Sequence, residues 1–179
     1  VVTRWIALLR GVNVGGGNKI AMPALRVSCE GCGFERVSTY IQSGNIVFEA
    51  KGDEASVTAS LRKLLADEHG LKVPVVVRAA KEMDRLADSH PGLEAGVAPN
   101  LLHIVFLDKK VKAADVERVD PARFEPDTFE VDGREIYVTY PNGSGRSKLT
   151  IEVFEKAFGA TATARNVNTV RALIDIARS

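Results

Sequence analysis

The chain has 179 residues, 45% hydrophobic and 26% charged, with 24 Lys and Arg against 23 Asp and Glu. A net charge of +1 excludes binding of polyanions through overall charge, so any affinity for phosphate or nucleic acid has to come from a local cluster. No run of about 18 apolar residues is present to span a membrane, and VVTRWIALLRGVN lacks a signal peptide's unbroken apolar stretch, so a cytoplasmic protein without a membrane partner is expected.

Apolar alternation predicts a first strand over residues 4–10. Pro23 suits the first turn of a helix opening near Met22, and Gly33 closes it. Strands over 37–42 and 46–50 follow. Asp53 then caps a helix whose Val57, Leu61, Leu64 and Leu65 form one stripe, with Gly70 as its stop. A strand at 73–78 and a short helix at 81–88 complete this half. The turn-rich HPGLEAGVAPN, residues 90–100, reads as a linker. Beyond it come a strand at 101–107, a weak helix at 113–119, strands at 128–131 and 135–140, and a helix at 148–158 stopped by Gly159. A strand at 160–164 and a helix at 168–177 end the chain.

The order is β-α-β-β-α-β and a helix, stated twice. LLADEHGLKVPVVVRAAKEMDRLAD runs parallel to VFEKAFGATATARNVNTVRALID, which puts Arg78 and Arg165 in equivalent places. The expected fold is α+β, with two tandem ferredoxin-like subdomains over 1–89 and 101–179, joined by the linker 90–100 and meeting at an interdomain cleft.

Four stretches, RGVNVGGGNK, TYIQSGNIV, YPNGSGRSKLTI and TATARNVNTVR, are rich in Gly, Asn, Ser and Thr. They hold the basic residues Arg10, Lys19, Arg146, Lys148, Arg165 and Arg171, and no acid. Lys19, Arg146, Lys148 and Arg165 precede helices, where positive charge opposes the helix dipole unless an anion is bound. The topology sends the first two stretches to one end of the first sheet and the last two to one end of the second. If those ends face each other, all four line the cleft. Gly-rich turns and helix starts offer backbone N–H groups, and arginine forks grip phosphate or carboxylate. The candidate ligand-binding residues are Arg10, Asn13, Asn18, Lys19, Gln42, Ser43, Asn45, Asn142, Arg146, Ser147, Lys148, Arg165, Asn166 and Asn168. Tyr40 or Tyr140 is a candidate to stack on a base or sugar.

No stretch supplies His, Cys, Asp or Glu, so no catalytic residue is assigned and no metal site is expected, while the residues leave the cofactor open. Ser43, Ser144 and Ser147 are nucleophiles only if a base arrives from elsewhere. GVNVGGGNK has neither the P-loop ending nor the dinucleotide-binding spacing. Cys29 and Cys32 fall with Leu25 on one helix face and read as core thiols rather than a redox pair; His103 reads as a satisfied core residue.

WIALLRGVNVGGGNKIAM, GFERVSTYIQSGNIVF, YPNGSGRSKLT and TATARNVNTV closely resemble the signature segments of a bacterial family called domain of unknown function 1697. The resemblance runs along nearly the whole chain and implies a cytoplasmic protein of two ferredoxin-like halves, with no established activity. The chain departs from the family pattern at SCEGCGF and at Gly17, a position where Lys is common. The leading expectation is a small anionic, phosphorylated ligand held between the halves. A nucleic-acid module is the weaker alternative, since NIVFEA keeps only Phe48 of an RNA-recognition string. A ligand-free interaction module, its polar stretches binding one half to the other, is the third.

Overall fold

The computed structural model describes residues 1–179 and divides them into two compact units, 1–84 with 172–179, and 85–171. The first holds β1 (Val2–Leu9), α1 (Met22–Gly31), β2 (Glu35–Tyr40), β3 (Asn45–Lys51), α2 (Glu54–His69), β4 (Val75–Ala79) and the single turn α3 (Ala80–Met83). The second holds the single turn α4 (Pro91–Glu94), β5 (Leu102–Leu107), the single turn α5 (Ala113–Val116), β6 (Thr128–Asp132), β7 (Glu135–Thr139), α6 (Ile151–Phe158) and β8 (Ala162–Asn166). The division falls within the last helix, α7 (Val167–Arg178).

Each unit is a mixed α+β arrangement around one four-stranded antiparallel sheet, ordered β2-β3-β1-β4 in the first and β6-β7-β5-β8 in the second. β1 and β5 pair on both edges. Trp5, Ala7 and Leu9 of β1 join Leu25 and Cys29 of α1 and Leu61 and Leu65 of α2 in one core. Ile6 and Leu8, on the opposite face, are equally buried, which is why β1 reads as a continuous apolar run. In the second unit Val105, Ile136 and Val138 pack with Phe154 and Phe158 of α6. Each such fully buried side chain contributes about 1.5–3 kcal/mol, so these two clusters dominate the stability of their units.

Local signals account for most boundaries. Asp53 accepts from the Ser56 N–H at 2.8 Å and caps α2. Gly70 and Gly159 end α2 and α6 in the left-handed conformation, as their spacing predicts. Several expectations shift, among them the helix expected at 81–88, which is the single turn Ala80–Met83. β2 stops at Tyr40 because Ile41 takes a positive φ of 47°. β8 covers 162–166, so Arg165 lies inside a strand, paired across from Ile104. α6 starts at Ile151 because Leu149 turns inward and is buried, leaving Lys148 ahead of the helix.

Residues 90–100, read as a linker, carry α4 and a 3-10 turn, Pro99–Leu101. His90 is buried there. Its Nδ1 accepts from the Gly92 N–H at 3.1 Å, so the neutral ring donates from Nε2 toward the carbonyls of His103 and Val138, each at 3.1 Å. Cys29 has no exposure, and burial pushes its thiol up to about 12. The exposed Cys32 thiol donates to the Cys29 carbonyl at 3.1 Å.

Candidate functional site

In the first unit the polar loops after β1 and between β2 and β3 come together at one end of the sheet. Asn13, at φ 55°, donates from Nδ2 to the carbonyls of Ile20 (2.9 Å) and Gln42 (2.8 Å), while its Oδ1 accepts from the Ile20 N–H at 2.9 Å. Asn18, at φ 48°, donates to the Gly11 carbonyl at 3.1 Å. Buried Asn45 donates to the Tyr40 carbonyl and to Ser43 Oγ, both at 2.9 Å. Asparagine suits the left-handed positions 13 and 18 because its short amide hydrogen-bonds to nearby backbone. These amides are thereby committed to the loops that carry them. Exposed Lys19 and Gln42 border a shallow hollow of about 490 Å³ beside Gly16 and Ile20, and Arg10 is half-buried.

In the second unit the loop between β7 and α6 is closed by Tyr140. Its N–H donates to the Leu101 carbonyl at 2.9 Å and its hydroxyl to the Leu149 carbonyl at 2.8 Å, nine residues on. The ring is buried, which pushes the hydroxyl up to about 12 and removes it from any stacking role. Ser147 Oγ donates to the Asp127 carboxylate and accepts from the Leu149 N–H at 2.9 Å. An acid therefore enters a loop that has none in its own sequence. Asn142, Arg146 and Lys148 remain exposed on this braced loop, around a hollow of about 360 Å³ that also meets Arg123, Glu125 and Asp127.

Adjoining it is a larger groove of about 760 Å³. Its floor is Val119, Phe124, Val153 and Ala157, and its rim carries Arg118, Arg123, Lys148 and Lys156 against the single acid Asp120. Asp120 is occupied, accepting from the Ala122 N–H at 3.1 Å to start the 3-10 turn Pro121–Phe124. Arg118 is also occupied, paired with Asp115 at 3.0 Å and donating to the Ala157 carbonyl at 3.3 Å. Arg123, Lys148 and Lys156 are exposed and form no ion pair. The arrangement supplies positive charge and hydrogen-bond donors beside an apolar surface.

The remaining candidates have other surroundings. Arg165 is buried, donates from Nη1 to Thr163 Oγ1 and to the Ala164 carbonyl, both at 2.8 Å, and burial pushes it down to about 10. Arg78 pairs across from Ile6 as Arg165 does from Ile104, and donates to the carbonyl just before it at 3.1 Å, so the two arginines are structural equivalents. Asn166 ends β8 opposite His103, and its Oδ1 accepts from the Thr169 N–H at 2.9 Å, capping α7; Asn168 is exposed in the first turn of that helix. The expected clash of cations with helix dipoles disappears at α6. Arg146 and Lys148 precede that helix, and Glu152 occupies its first turn. His103 packs edge-on against Tyr140 with ring centres 5.0 Å apart, and its buried Nδ1 has no hydrogen-bond partner, so it is not the satisfied core residue expected.

Arg118, Arg123 and Lys156 were not among the sequence candidates because all three lie near acids. The usable signals were the Asp120-Pro121 start of a helical turn and the spacing of Val153, Lys156 and Ala157 along one side of α6. No group of three or more His, Cys, Asp or Glu side chains comes together in a metal-holding arrangement, and no helix is long and apolar enough to cross a membrane.

These features define a mixed α+β protein of two antiparallel-sheet units. The same fold is seen in the structure of the conserved bacterial protein SP0830 from Streptococcus pneumoniae, with a TM-score of 0.76 at 22% identity over 99% of both chains. The family described as Protein of unknown function (DUF1697) matches residues 2–137, and the chain belongs to that family. No curated protein sequence matches it.

Proposed function

We propose that the second unit binds a small anionic, phosphorylated ligand in the groove rimmed by Arg123, Lys148 and Lys156, with Arg146 beside it. The observation that carries this reading is the convergence of three unpaired cations on one concave, apolar-floored surface whose only acid, Asp120, is already hydrogen-bonded. Exposed cations crowded together repel one another, and an anion between them removes that cost. The strand orders β2-β3-β1-β4 and β6-β7-β5-β8, with β-α-β-β-α-β succession, support describing each unit as ferredoxin-like.

The test is thermal unfolding in inorganic phosphate against chloride at equal ionic strength, on wild type and Arg123→Ala. Binding to the folded state raises Tm, and the rise grows with the logarithm of ligand concentration above Kd, so a concentration-dependent rise lost in Arg123→Ala supports the proposal. A rise equal in both proteins counts against it.

A second reading, that the polar stretches brace the fold, is favoured in the first unit, where Asn13, Asn18 and Asn45 spend their amides on neighbouring backbone or on Ser43. Nucleic-acid binding on that sheet finds less support. Phe48, the one ring kept from the RNA-recognition string, is fully buried and stacked on Phe34 at 4.4 Å, so it is closed to a base.

A further inference from the structure

Resting on the anion reading above, we infer that the ligand of the second unit is a phosphate monoester with an apolar or aromatic body, its phosphate among Arg123, Lys148 and Lys156 and its body on Phe124, Val153 and Ala157. The floor is what separates this class from a bare anion. Phe124, Val153 and Ala157 pack against the buried cluster of Phe154 and Phe158 while keeping part of their own surface outside it, so the groove extends the core of the unit. Val153 and Ala157 are one helical turn apart on α6, and Lys156 stands beside them on the rim. Inorganic phosphate would use the rim and leave the floor wet. An organic body laid on the floor removes apolar surface from water at both partners.

Size and charge point the same way. A hollow of about 760 Å³ is far larger than a phosphate group and lies in the range of small-molecule sites. The positive region is short. Glu125 and Asp127 stand in the adjoining hollow and Asp115 neutralises Arg118, so a long polyanion would meet acids beyond the groove, whereas a compact monoester would not. The rim also holds two kinds of cation suited to a dianionic phosphate: the guanidinium fork of Arg123 and the ammonium groups of Lys148 and Lys156.

The experiment is calorimetric titration at fixed ionic strength with inorganic phosphate, glycerol phosphate and 1-naphthyl phosphate, on wild type, Arg123→Ala and Val153→Asn. Expected is naphthyl phosphate binding at least tenfold tighter than glycerol phosphate, a difference of about 1.4 kcal/mol. That preference should shrink toward unity in Val153→Asn. Arg123→Ala should weaken all three. Equal affinities of the two esters in wild type would overturn the inference and leave the anion reading standing. The same follows if naphthyl phosphate alone keeps its affinity in Arg123→Ala, since the floor would then hold it without the phosphate. No saturable binding of any of the three would overturn both. The wild-type series decides without the variants, so a misfolded Val153→Asn does not remove the test.

Discussion

Ser147 gives its hydroxyl proton to Asp127 and takes one hydrogen bond from the Leu149 N–H, so one small side chain ties the β7–α6 loop to the segment before β6 and to its own backbone. This pair holds Arg146 and Lys148 on either side of Ser147 in place. Ser147→Ala leaves the Asp127 carboxylate and the Leu149 N–H without that partner. The expected loss is about 1 kcal/mol of stability, with faster hydrogen exchange at the Leu149 amide and little change on α2. Unchanged exchange at Leu149 would show that the loop is held by Tyr140 alone.

Gly44 is irreplaceable for two reasons. Its φ is 86°, and a Cβ there would stand 2.6 Å from Val12 Cγ2 and 2.8 Å from Leu9 Cβ. Gly44→Ala combines backbone strain with overpacking and is expected to destabilise by about 2 kcal/mol or more. Urea unfolding should show a lower midpoint at the same slope.

Arg165 and Arg146 contrast a buried arginine with an exposed one beside the proposed anion groove. Arg165 is buried with hydrogen bonds to Thr163 and Ala164; Arg146 is exposed. Arg165→Ala opens a cavity and strands polar partners, for an expected loss of about 2–4 kcal/mol. Arg146→Ala should change stability by less than about 0.5 kcal/mol while weakening phosphate binding. Chemical denaturation and titration on both variants check this, and a stable Arg165→Ala would refute the structural role.

The buried neutral His90 predicts a pH dependence. Desolvation lowers its folded pKa below the ordinary value, against hydrogen bonds to Val138 and His103 and the nearby Glu130 charge, which raise it. His103, lowered chiefly by burial, has the same sign. The unfolded chain therefore binds more protons than the native one as pH falls through about 6.5, and stability declines there until the folded histidines also protonate. Tm is expected to drop between pH 7.5 and 5.5, with a smaller drop in His90→Asn. A profile as steep in the variant would assign the effect to other groups.

The two thiols should differ in reach. Cys29 is buried with its thiol pushed up to about 12, and Cys32, also raised by desolvation, is exposed. Ellman's reagent should label one thiol in the native protein, slowly, and both in guanidinium. Rapid labelling of both in buffer would contradict the burial of Cys29.

Much of the architecture was legible because it is written in short-range terms. The stripe of Val57, Leu61 and Leu65, the cap at Asp53 and the stops at Gly70 and Gly159 depend on neighbours within a turn or two, and the structure places them as their spacing predicts. The repeat that equates Arg78 with Arg165 was visible for the same reason, since both halves spell the same local pattern. The candidate site was only partly legible. Arg146 and Lys148 stood out, but the groups that shape their surroundings lie outside that stretch: Arg123 and Asp127 before β6, and Lys156 in the last turn of α6.

Acid-free stretches reflect the order of charges along the chain, whereas electrostatic and hydrogen-bonding energy depend on distance in space. Asp127 reaches Ser147 across 20 residues, and Asn13 reaches the Gln42 carbonyl across 29. Sequence by itself determined the elements, their repeat and the family, because hydrophobic periodicity and caps act locally. Only tertiary structure decided which polar side chains are spent on backbone and which cations remain unpaired, because a donor's partner is chosen by what the fold brings within about 3 Å.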